Sequence, residues 1–280
     1  MIKFWSYERE YKKIKKKIFS KLDKTFLKGN IFFGTELVNF EKKFIKKYKS
    51  RFGVAVGSGT DAILISLKAL NIRSGDEIIT AANTAIPTIS AIVNSGAIPK
   101  LVDVGEDYLI DTSKIEKLIT KRTKAIIPVH LYGQACDMSK ILKIAKKYKI
   151  KIIEDCAQAQ GAKYNKKFVG TLGDFGCFSF YPTKILGAYG DGGFITTKSY
   201  KDFLKIKRLR FYGIETINKK NLFYKKYYAN ENGLNSRLDE IQSTILNIKL
   251  KHVDKYINKR IKLANLYLKY LRNTDIKLPK

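Results

Sequence analysis

The sequence predicts an α/β fold, with a mostly parallel central sheet and helices on both faces of the sheet. Short apolar stretches of strand length alternate with amphipathic helical stretches through most of the 280 residues, and no repeat or low-complexity linker interrupts them. Successive strand–helix–strand units have a right-handed crossover, which places their strands parallel in one sheet. A hydrophobic content of 45% is enough for the core of one large domain.

Two amphipathic helices are predicted before the first strand. Residues 6–27 carry apolar side chains three or four positions apart, including Ile14 and Ile18, and Gly29 follows as a stop signal. Thr35–Tyr48 repeats this spacing. Each helix therefore has one apolar face that packs on a core.

A glycine turn joins the first strand to the next helix. Phe52–Val56 is a short apolar strand, residues 57–62 form the turn, and residues 63–70 are helical. A helix that begins after such a turn points free N–H groups at a phosphate. The turn also matches the dinucleotide fingerprint G-x-G-x-x-A, but the acids Asp76 and Glu77 precede the second strand and cannot reach a ribose. We therefore predict a phosphate site without a dinucleotide, with a plain tight turn as the alternative.

The rest of the chain continues the alternation of strands and helices. In open α/β sheets the site lies beyond the carboxyl ends of the strands, where both Thr60 and Asp155 are predicted to lie. The predicted strands are 77–81, 100–104, 123–129, 151–154 and 192–197, and the predicted helices are 86–95, 112–119, 139–148 and 200–211. A basic, aromatic loop is predicted at 212–228, and a long helix opens at 231–242 and runs to about residue 271.

Asp155 and Lys184 are the two candidate reactive residues. Asp155 ends a strand and is followed by small residues, so it is either a buried carboxylate with a cationic partner or a helix N-cap. Lys184 lies between a short aromatic strand and a glycine-rich turn. A partly desolvated amine has a lowered pKa and attacks carbonyls, whereas a surface lysine in a strand–turn–strand element is the alternative.

The formal net charge of +30 comes from 55 lysines and arginines against 25 acids. The lysines are spread over nearly every predicted surface helix, and no nucleic-acid-binding motif accompanies them, so we expect no specific nucleic-acid partner. The three cysteines lack metal-site spacing and indicate reduced thiols, and no metal site is predicted. No secretory signal and no apolar run of about 18 residues is present, which predicts a soluble, cytoplasmic protein without a membrane partner.

A phosphate-binding turn, a strand-end carboxylate and a lysine nucleophile together resemble the DegT/DnrJ/EryC1/StrS sugar aminotransferase family of fold-type I pyridoxal phosphate enzymes. Segments that match the family occur in the same order and spacing along nearly the whole chain. They are residues 57–62, 75–79, 129–134, 154–158, 178–184, 190–193 and 233–237.

The resemblance implies roles for individual residues. Lys184 would be the Schiff-base lysine and would also act as general base and then general acid. Asp155 would pair with the pyridine nitrogen, and Gln158 would contact the ring hydroxyl. The residues expected to hold the phosphate of pyridoxal 5'-phosphate are Gly59, Thr60, Ser179 and, from the neighbouring subunit of a homodimer, Asn235. Arg237 is expected to brace its loop rather than to contact substrate.

The resemblance also implies the substrates. The amino donor would be L-glutamate and the acceptor a nucleotide-linked 3-keto- or 4-keto-sugar, for the synthesis of an amino sugar of a surface polysaccharide. The form of residues 190–193 and of Asp61 favours amination at C3 over C4. One other interpretation stays open: a truncated, non-catalytic member of the family whose basic surface binds an anionic partner. A nicotinamide enzyme acting on sugars is discounted, because Asp76 and Glu77 precede the second strand.

Two departures from the family pattern accompany the resemblance. Ala85 occupies a position where the family commonly has an aromatic residue that stacks on the cofactor. Family members also continue for about a further quarter of their length, so we expect a truncated C-terminal small domain. The predicted organisation is an N-terminal helical segment at 1–30, a cofactor-binding large domain at 31–245, and a long helix at 246–280 that leads into the incomplete domain.

Overall fold

A computed structural model of the protein describes residues 6–214, 228–276 and 278. The helices are α1 Glu8–Leu27, α2 Thr35–Tyr48, α3 Gly59–Ala69, α4 Ile86–Asn94, α5 Thr112–Ile115, α6 Met138–Tyr148, α7 Tyr200–Leu209, α8 Glu240–Lys249 and α9 Val253–Leu271. The strands are β1 Phe52–Val56, β2 Glu77–Ala81, β3 Ile98–Val102, β4 Thr123–Ile127, β5 Lys151–Asp155, β6 Lys163–Tyr164, β7 Lys167–Phe168, β8 Phe175–Ser179 and β9 Gly193–Thr197. Turns of 3-10 helix lie at Glu116–Leu118, Leu131–Gly133 and Leu250–His252.

Within the described residues, seven strands form the central sheet, in the order β1-β9-β8-β5-β4-β2-β3. The pairs β8–β5, β5–β4, β4–β2 and β2–β3 are parallel, and β9 runs antiparallel to both of its neighbours. The prediction of a mostly parallel sheet is therefore confirmed. Strands β6 and β7 form a separate two-stranded ribbon.

Helices cover both faces of the sheet, because alternate residues of each strand point to opposite sides. On one face, Val54 and Val56 of β1 belong to a core cluster that includes residues of α3, α4 and α7. On the other face, Ala55 belongs to an aromatic cluster with Phe44 of α2 and Phe194 of β9. Helix α6 packs in a third cluster with residues of β4 and β5.

The predicted long helix from about residue 231 is wrong at its start and is interrupted. Residues 231–239 are not helical, because their backbone pairs with the last residue of α7 and the segment that follows it. Leu234 N–H donates to Leu209 C=O (2.7 Å), and Ser236 N–H donates to Arg210 C=O (3.0 Å). Helix α8 begins after Asp239, whose side chain accepts a hydrogen bond from Gln242 N–H (2.6 Å). The 3-10 turn between α8 and α9 interrupts the remaining length.

Smaller differences from the prediction have local causes. Helix α3 starts four residues earlier than predicted, because the Ser58 side chain caps it by accepting from Asp61 N–H (3.0 Å). Strand β3 lies two residues earlier than predicted, so Asp103 comes directly after the strand instead of inside it. The predicted helix 112–119 consists of α5 and a 3-10 turn. Residues 215–227 of the predicted basic loop lie outside the described residues.

No helix in the described part of the chain is both long enough and apolar enough to cross a membrane.

The aromatic cluster gives a test of the core. Phe44 is fully buried, and its ring centroid lies 4.3 Å from that of Phe194 and 5.1 Å from that of Phe178. We expect Phe44→Ala to lower the free energy of unfolding by about 3–5 kcal/mol, because it removes a buried aromatic side chain and leaves a cavity. The control is Val38→Ala on the exposed side of the same helix, which should change stability by no more than about 0.5 kcal/mol. Equal losses in urea denaturation would contradict this account of the core.

Candidate active site

A cleft of about 250 Å³ lies at the carboxyl ends of β5 and β8, beside the N-terminus of α3. We call it the Lys184 cleft. Six of the seven residues predicted to hold the cofactor line it: Gly59, Thr60, Asp155, Gln158, Ser179 and Lys184. The cleft is therefore in the position that open α/β sheets use for ligands.

A larger groove of about 1010 Å³ lies near the opposite ends of the strands and is lined by Arg73, Lys121 and Tyr148, among others. It contains none of the predicted site residues. We place the site in the smaller cleft, because that is where a half-buried amine, a buried carboxylate and a helix N-terminus come together.

The start of α3 presents backbone donors to the cleft. The N–H groups of Gly59 and Thr60 belong to the first turn of the helix and have no acceptor within it. Gly59 lies so close to the end of β8 that a Cβ at this position would be 2.7 Å from the Cβ of Ser179. The free N–H groups and the Ser179 side chain therefore lie close together, as an oxyanion such as phosphate requires.

Asp155 is a buried carboxylate held by two hydrogen bonds. Thr88 Oγ1 donates to its Oδ2 (2.8 Å), and Ala157 N–H donates to its Oδ1 (3.0 Å). The N-cap alternative is wrong, because the residues after Asp155 form turns and no helix starts there. Strand β5 instead delivers the carboxylate to the cleft that Lys184 also lines.

Lys184 is half-buried and lines the cleft, so the alternative of a surface lysine is wrong. Burial lowers the pKa of its amine, and the negative charge of Asp155 raises that pKa and so partly opposes the effect of burial. Both effects follow from position, since a low-polarity environment disfavours the ammonium form and a nearby carboxylate favours it. The predicted lowering of the Lys184 pKa is present.

Gln158 is oriented by the loop after β4. The N–H of Tyr132 donates to Gln158 Oε1 (3.2 Å), from a left-handed backbone conformation with φ of 57°. This bond to Oε1 fixes the orientation of the amide, and its nitrogen is the group that can donate to a ligand in the cleft.

Asn235 is not among the residues that line the cleft of the same chain. It is exposed, and its backbone pairs with Phe211 in an isolated antiparallel bridge. Two residues further on, the guanidinium of Arg237 lies 4.3 Å from the Phe32 ring centroid and 5.5 Å from that of Phe211. These contacts place the guanidinium against two aromatic rings, and its expected role in bracing the loop stays a prediction.

A buried carboxylate next to Asp155 anchors the strand that carries it. Glu154 is fully buried and faces away from the cleft. Its two oxygens accept four hydrogen bonds, from His130 Nε2 (3.0 Å) and from the N–H groups of Gly170 (2.8 Å), Leu172 (2.8 Å) and Gly173 (2.7 Å). Potential metal ligands of His130, Glu154 and Cys156 lie within 4.8 Å of one another. The four hydrogen bonds show that the carboxylate serves to anchor the end of β5.

Comparison with known proteins identifies the family. The DegT/DnrJ/EryC1/StrS aminotransferase family matches residues 12–280 of this chain. The chain belongs to this family. The resemblance drawn from the seven sequence segments is thereby confirmed.

Relatives of known activity and structure span most of the chain. The dTDP-3-amino-3,6-dideoxy-alpha-D-galactopyranose transaminase of Aneurinibacillus thermoaerophilus is 44% identical over 280 residues, covering 100% of this chain and 75% of the relative. The dTDP-3-amino-3,4,6-trideoxy-alpha-D-glucose transaminase of Micromonospora megalomicea subsp. nigra is 42% identical over 266 residues, covering 94% and 69%. The structure of S. venezuelae DesV in complex with a ketimine intermediate matches with a TM-score of 0.93 at 35% identity, covering 100% of this chain and 73% of DesV.

Membership of the DegT/DnrJ/EryC1/StrS aminotransferase family confirms the predicted cofactor, pyridoxal 5'-phosphate. The Lys184 cleft fits it on chemical grounds. The cofactor brings a phosphate, a ring nitrogen and an aldehyde, and the cleft offers a helix N-terminus, a buried carboxylate and a partly desolvated amine. Ala85 lines the cleft at the N-cap of α4 and is exposed, so this DegT-family member presents only a methyl group there.

Two residues of the site were missed by sequence reasoning. Thr88, the partner of Asp155, is a buried hydroxyl in the first turn of α4, and a hydroxyl at the start of a mostly apolar helix was the signal. Gln160, a buried amide below the Lys184 turn, follows Gln158 among small residues. In both cases the partner is distant in sequence, so local patterns could not identify the contact.

The pKa of Lys184 leads to a test in the cofactor-free protein. Because burial lowers this pKa, acetylation of Lys184 should reach half its maximal rate at a lower pH than acetylation of a lysine in an unfolded peptide. Asp155→Asn removes the charge that raises the pKa, so the midpoint should fall further. Lys114, whose pKa is raised by its hydrogen bond to Asp103, is the internal control and should not respond to Asp155→Asn. Site-resolved mass spectrometry gives both midpoints, and a rise at Lys184 in Asp155→Asn would contradict the assignment.

Proposed function

We propose that this protein transfers an amino group from L-glutamate to a nucleotide-linked keto-sugar, with pyridoxal phosphate bound in the Lys184 cleft. The observation that carries the proposal is the meeting of Lys184, Asp155 and the N-terminus of α3 in one cleft. These three groups come from distant parts of the sequence, and pyridoxal phosphate chemistry needs all of them.

The roles follow from the chemistry of each side chain. Bound pyridoxal phosphate supplies an electron-accepting ring that stabilises negative charge at the α-carbon of the amino donor. Asp155 holds a positive charge on the ring nitrogen by ion pairing, and the N–H groups of Gly59 and Thr60 with Ser179 hold the phosphate. Gln158 donates its amide N–H to the ring hydroxyl. Nζ of Lys184 accepts the proton from the donor α-carbon and gives it up again as an acid.

The proposed acceptor is supported by what the relatives act on. The two transaminases compared above have names that describe dTDP-linked sugars with an amino group at C3. We propose the same class of acceptor for this chain, with amination at C3. The excess of basic residues would help to gather an anionic nucleotide sugar. A cytoplasmic location and a role in making amino sugars of surface polysaccharide complete the proposal.

Covalent trapping tests the proposal directly. Reduction of the protein with borohydride after mixing with pyridoxal phosphate should leave a phosphopyridoxyl group on Lys184, since the neutral amine at this site attacks the aldehyde. Lys184→Ala should lose both the adduct and transamination, and Lys114→Ala, at an exposed lysine outside the cleft, should keep both. Peptide mapping by mass spectrometry locates the adduct. No adduct at saturating cofactor would instead favour a non-catalytic protein with a basic binding surface.

The proposed homodimer, in which Asn235 completes the neighbouring subunit's site, makes a separate prediction. Lys184→Ala and Asn235→Ala should each be inactive alone. After unfolding and refolding of an equal mixture, about a quarter of all sites should be complete, because half of the dimers are mixed and each has one intact site.

Transamination that recovers to about a quarter of the wild-type rate would support the shared site. If Asn235 acted in its own chain, the mixture would stay inactive. Lys184→Ala that is unfolded and refolded alone in the same way is the control for the procedure, and it should stay inactive.

A further inference from the structure

The amide of Gln160 spans the two ends of the turn that carries Lys184. Gln160 Nε2 donates to the carbonyl of Ser179 (2.6 Å), the last residue of β8. Gln160 Oε1 accepts from Leu186 N–H (2.6 Å), two residues after Lys184. The side chain is only 2% exposed, so water does not compete for either bond. One side chain therefore closes the turn from both sides of the lysine.

The backbone of the same turn is closed by two further bonds. Ala188 N–H donates to Phe180 C=O (2.7 Å), and Lys184 N–H donates to Tyr181 C=O (2.9 Å). These bonds define the shape of the turn but connect it only to itself. At the far end of the turn, Tyr7 Oη also donates to Ala188 C=O (3.2 Å). Gln160 differs in that its amide connects both sides of the lysine to one other segment of the chain.

That other segment is the one that carries Asp155. Asp155 is the last residue of β5 and lines the cleft. Residues 156–160 follow directly, with Gln158 in the cleft and Gln160 against the Lys184 turn. The segment is itself held to β8, because Cys156 N–H donates to Cys177 C=O (2.8 Å). Residues 156–160 and the side-chain amide of Gln160 therefore link Asp155 to both ends of the Lys184 turn.

We propose that Gln160 is a positioning residue for Lys184, holding the lysine turn at a fixed place relative to Asp155 through its bonds to Ser179 and Leu186. The inference rests on the proposed function, in which Lys184 attacks an aldehyde held against Asp155. Gln160 does not line the cleft and so acts through Lys184. A merely space-filling role would require its volume but neither hydrogen bond.

Three variants separate these roles. Gln160→Met keeps the length and volume of the side chain and removes both hydrogen bonds. Gln160→Glu keeps the acceptor for Leu186 N–H and loses the donor for Ser179. The matched control is Asn247→Leu: Asn247 is equally buried, and its amide joins α8 to α2 by donating to Glu36 C=O (2.8 Å) and Glu36 Oε2 (2.9 Å), outside the cleft.

Two measurements are made on folded protein, below the melting temperature of each variant. The first is the pH midpoint for acetylation of Lys184 in the cofactor-free protein, which needs no catalysis. The second is the rate at which pyridoxal phosphate bonds to Lys184, followed by its visible absorbance. We expect Gln160→Met to shift the midpoint upward, toward that of a peptide lysine, and to slow bonding by about ten- to a hundredfold, because small displacements of a reacting group have effects of this size. Gln160→Glu should slow bonding by less than Gln160→Met. Only the bonding rate is compared for this variant, because a new carboxylate near Lys184 raises the Lys184 pKa by its charge alone.

The outcomes distinguish the inference from the proposed function. If Gln160→Met melts at a lower temperature, as Asn247→Leu does, but leaves the midpoint and the bonding rate at wild-type values, the positioning role is wrong. If the wild type does not bond to pyridoxal phosphate at all, the proposed function fails, and the acetylation midpoints still report whether Gln160 positions the amine. Should Gln160→Met not fold, the bonding rate of Gln160→Glu decides, measured at a pH well above the Lys184 midpoint.

Discussion

The parallel pairing of β5 with β8 is the constraint on which the site depends. Its register sets Asp155 opposite Cys177, so β8 continues two residues beyond the acid before the chain turns toward Lys184. This places the carboxylate and the amine on the same edge of the sheet, facing one cleft. Burial of the amine lowers its pKa, and the carboxylate opposes that effect. The size of the opposing effect depends on the distance between the carboxylate and the amine, which this register helps to set.

Much of the surrounding polar structure maintains this register. The buried carboxylate of Glu154 accepts four hydrogen bonds and anchors the end of β5, because an unpaired charge at that depth would be strongly unfavourable. On the other side, α3 approaches β8 so closely that only glycine is accommodated at position 59. Three separate contacts thus hold the site to β5 and β8. Gly59 packs on Ser179, Glu154 anchors the strand that ends in Asp155, and Gln160 ties the lysine turn to Ser179.

The fold and most of the site could be predicted from the sequence, and the failures have a common cause. The alternation of strands and helices, and the placement of Thr60, Asp155 and Lys184 at strand or turn ends, follow from local patterns of polarity and glycine. The helix predicted from residue 231 does not begin there, because that segment forms backbone hydrogen bonds with the end of α7 and the residues after it. Its residues can form a helix, but backbone bonds to a distant segment outweigh local propensity.

By itself, the sequence determined the fold class, the family and the chemical identity of the reactive groups, since these depend on residue type and spacing along the chain. Only the tertiary structure decided that Asp155 ends a strand with no helix after it, that Thr88 and Ala157 satisfy its carboxylate, and that Gln160 closes the Lys184 turn. These are contacts between groups up to 67 residues apart. The Gln160 contacts exist because the sheet brings the carboxyl ends of β5 and β8 together. Thr88 reaches Asp155 from α4, which follows β2 along the chain. Both neighbourhoods are a property of strand order rather than of any local pattern.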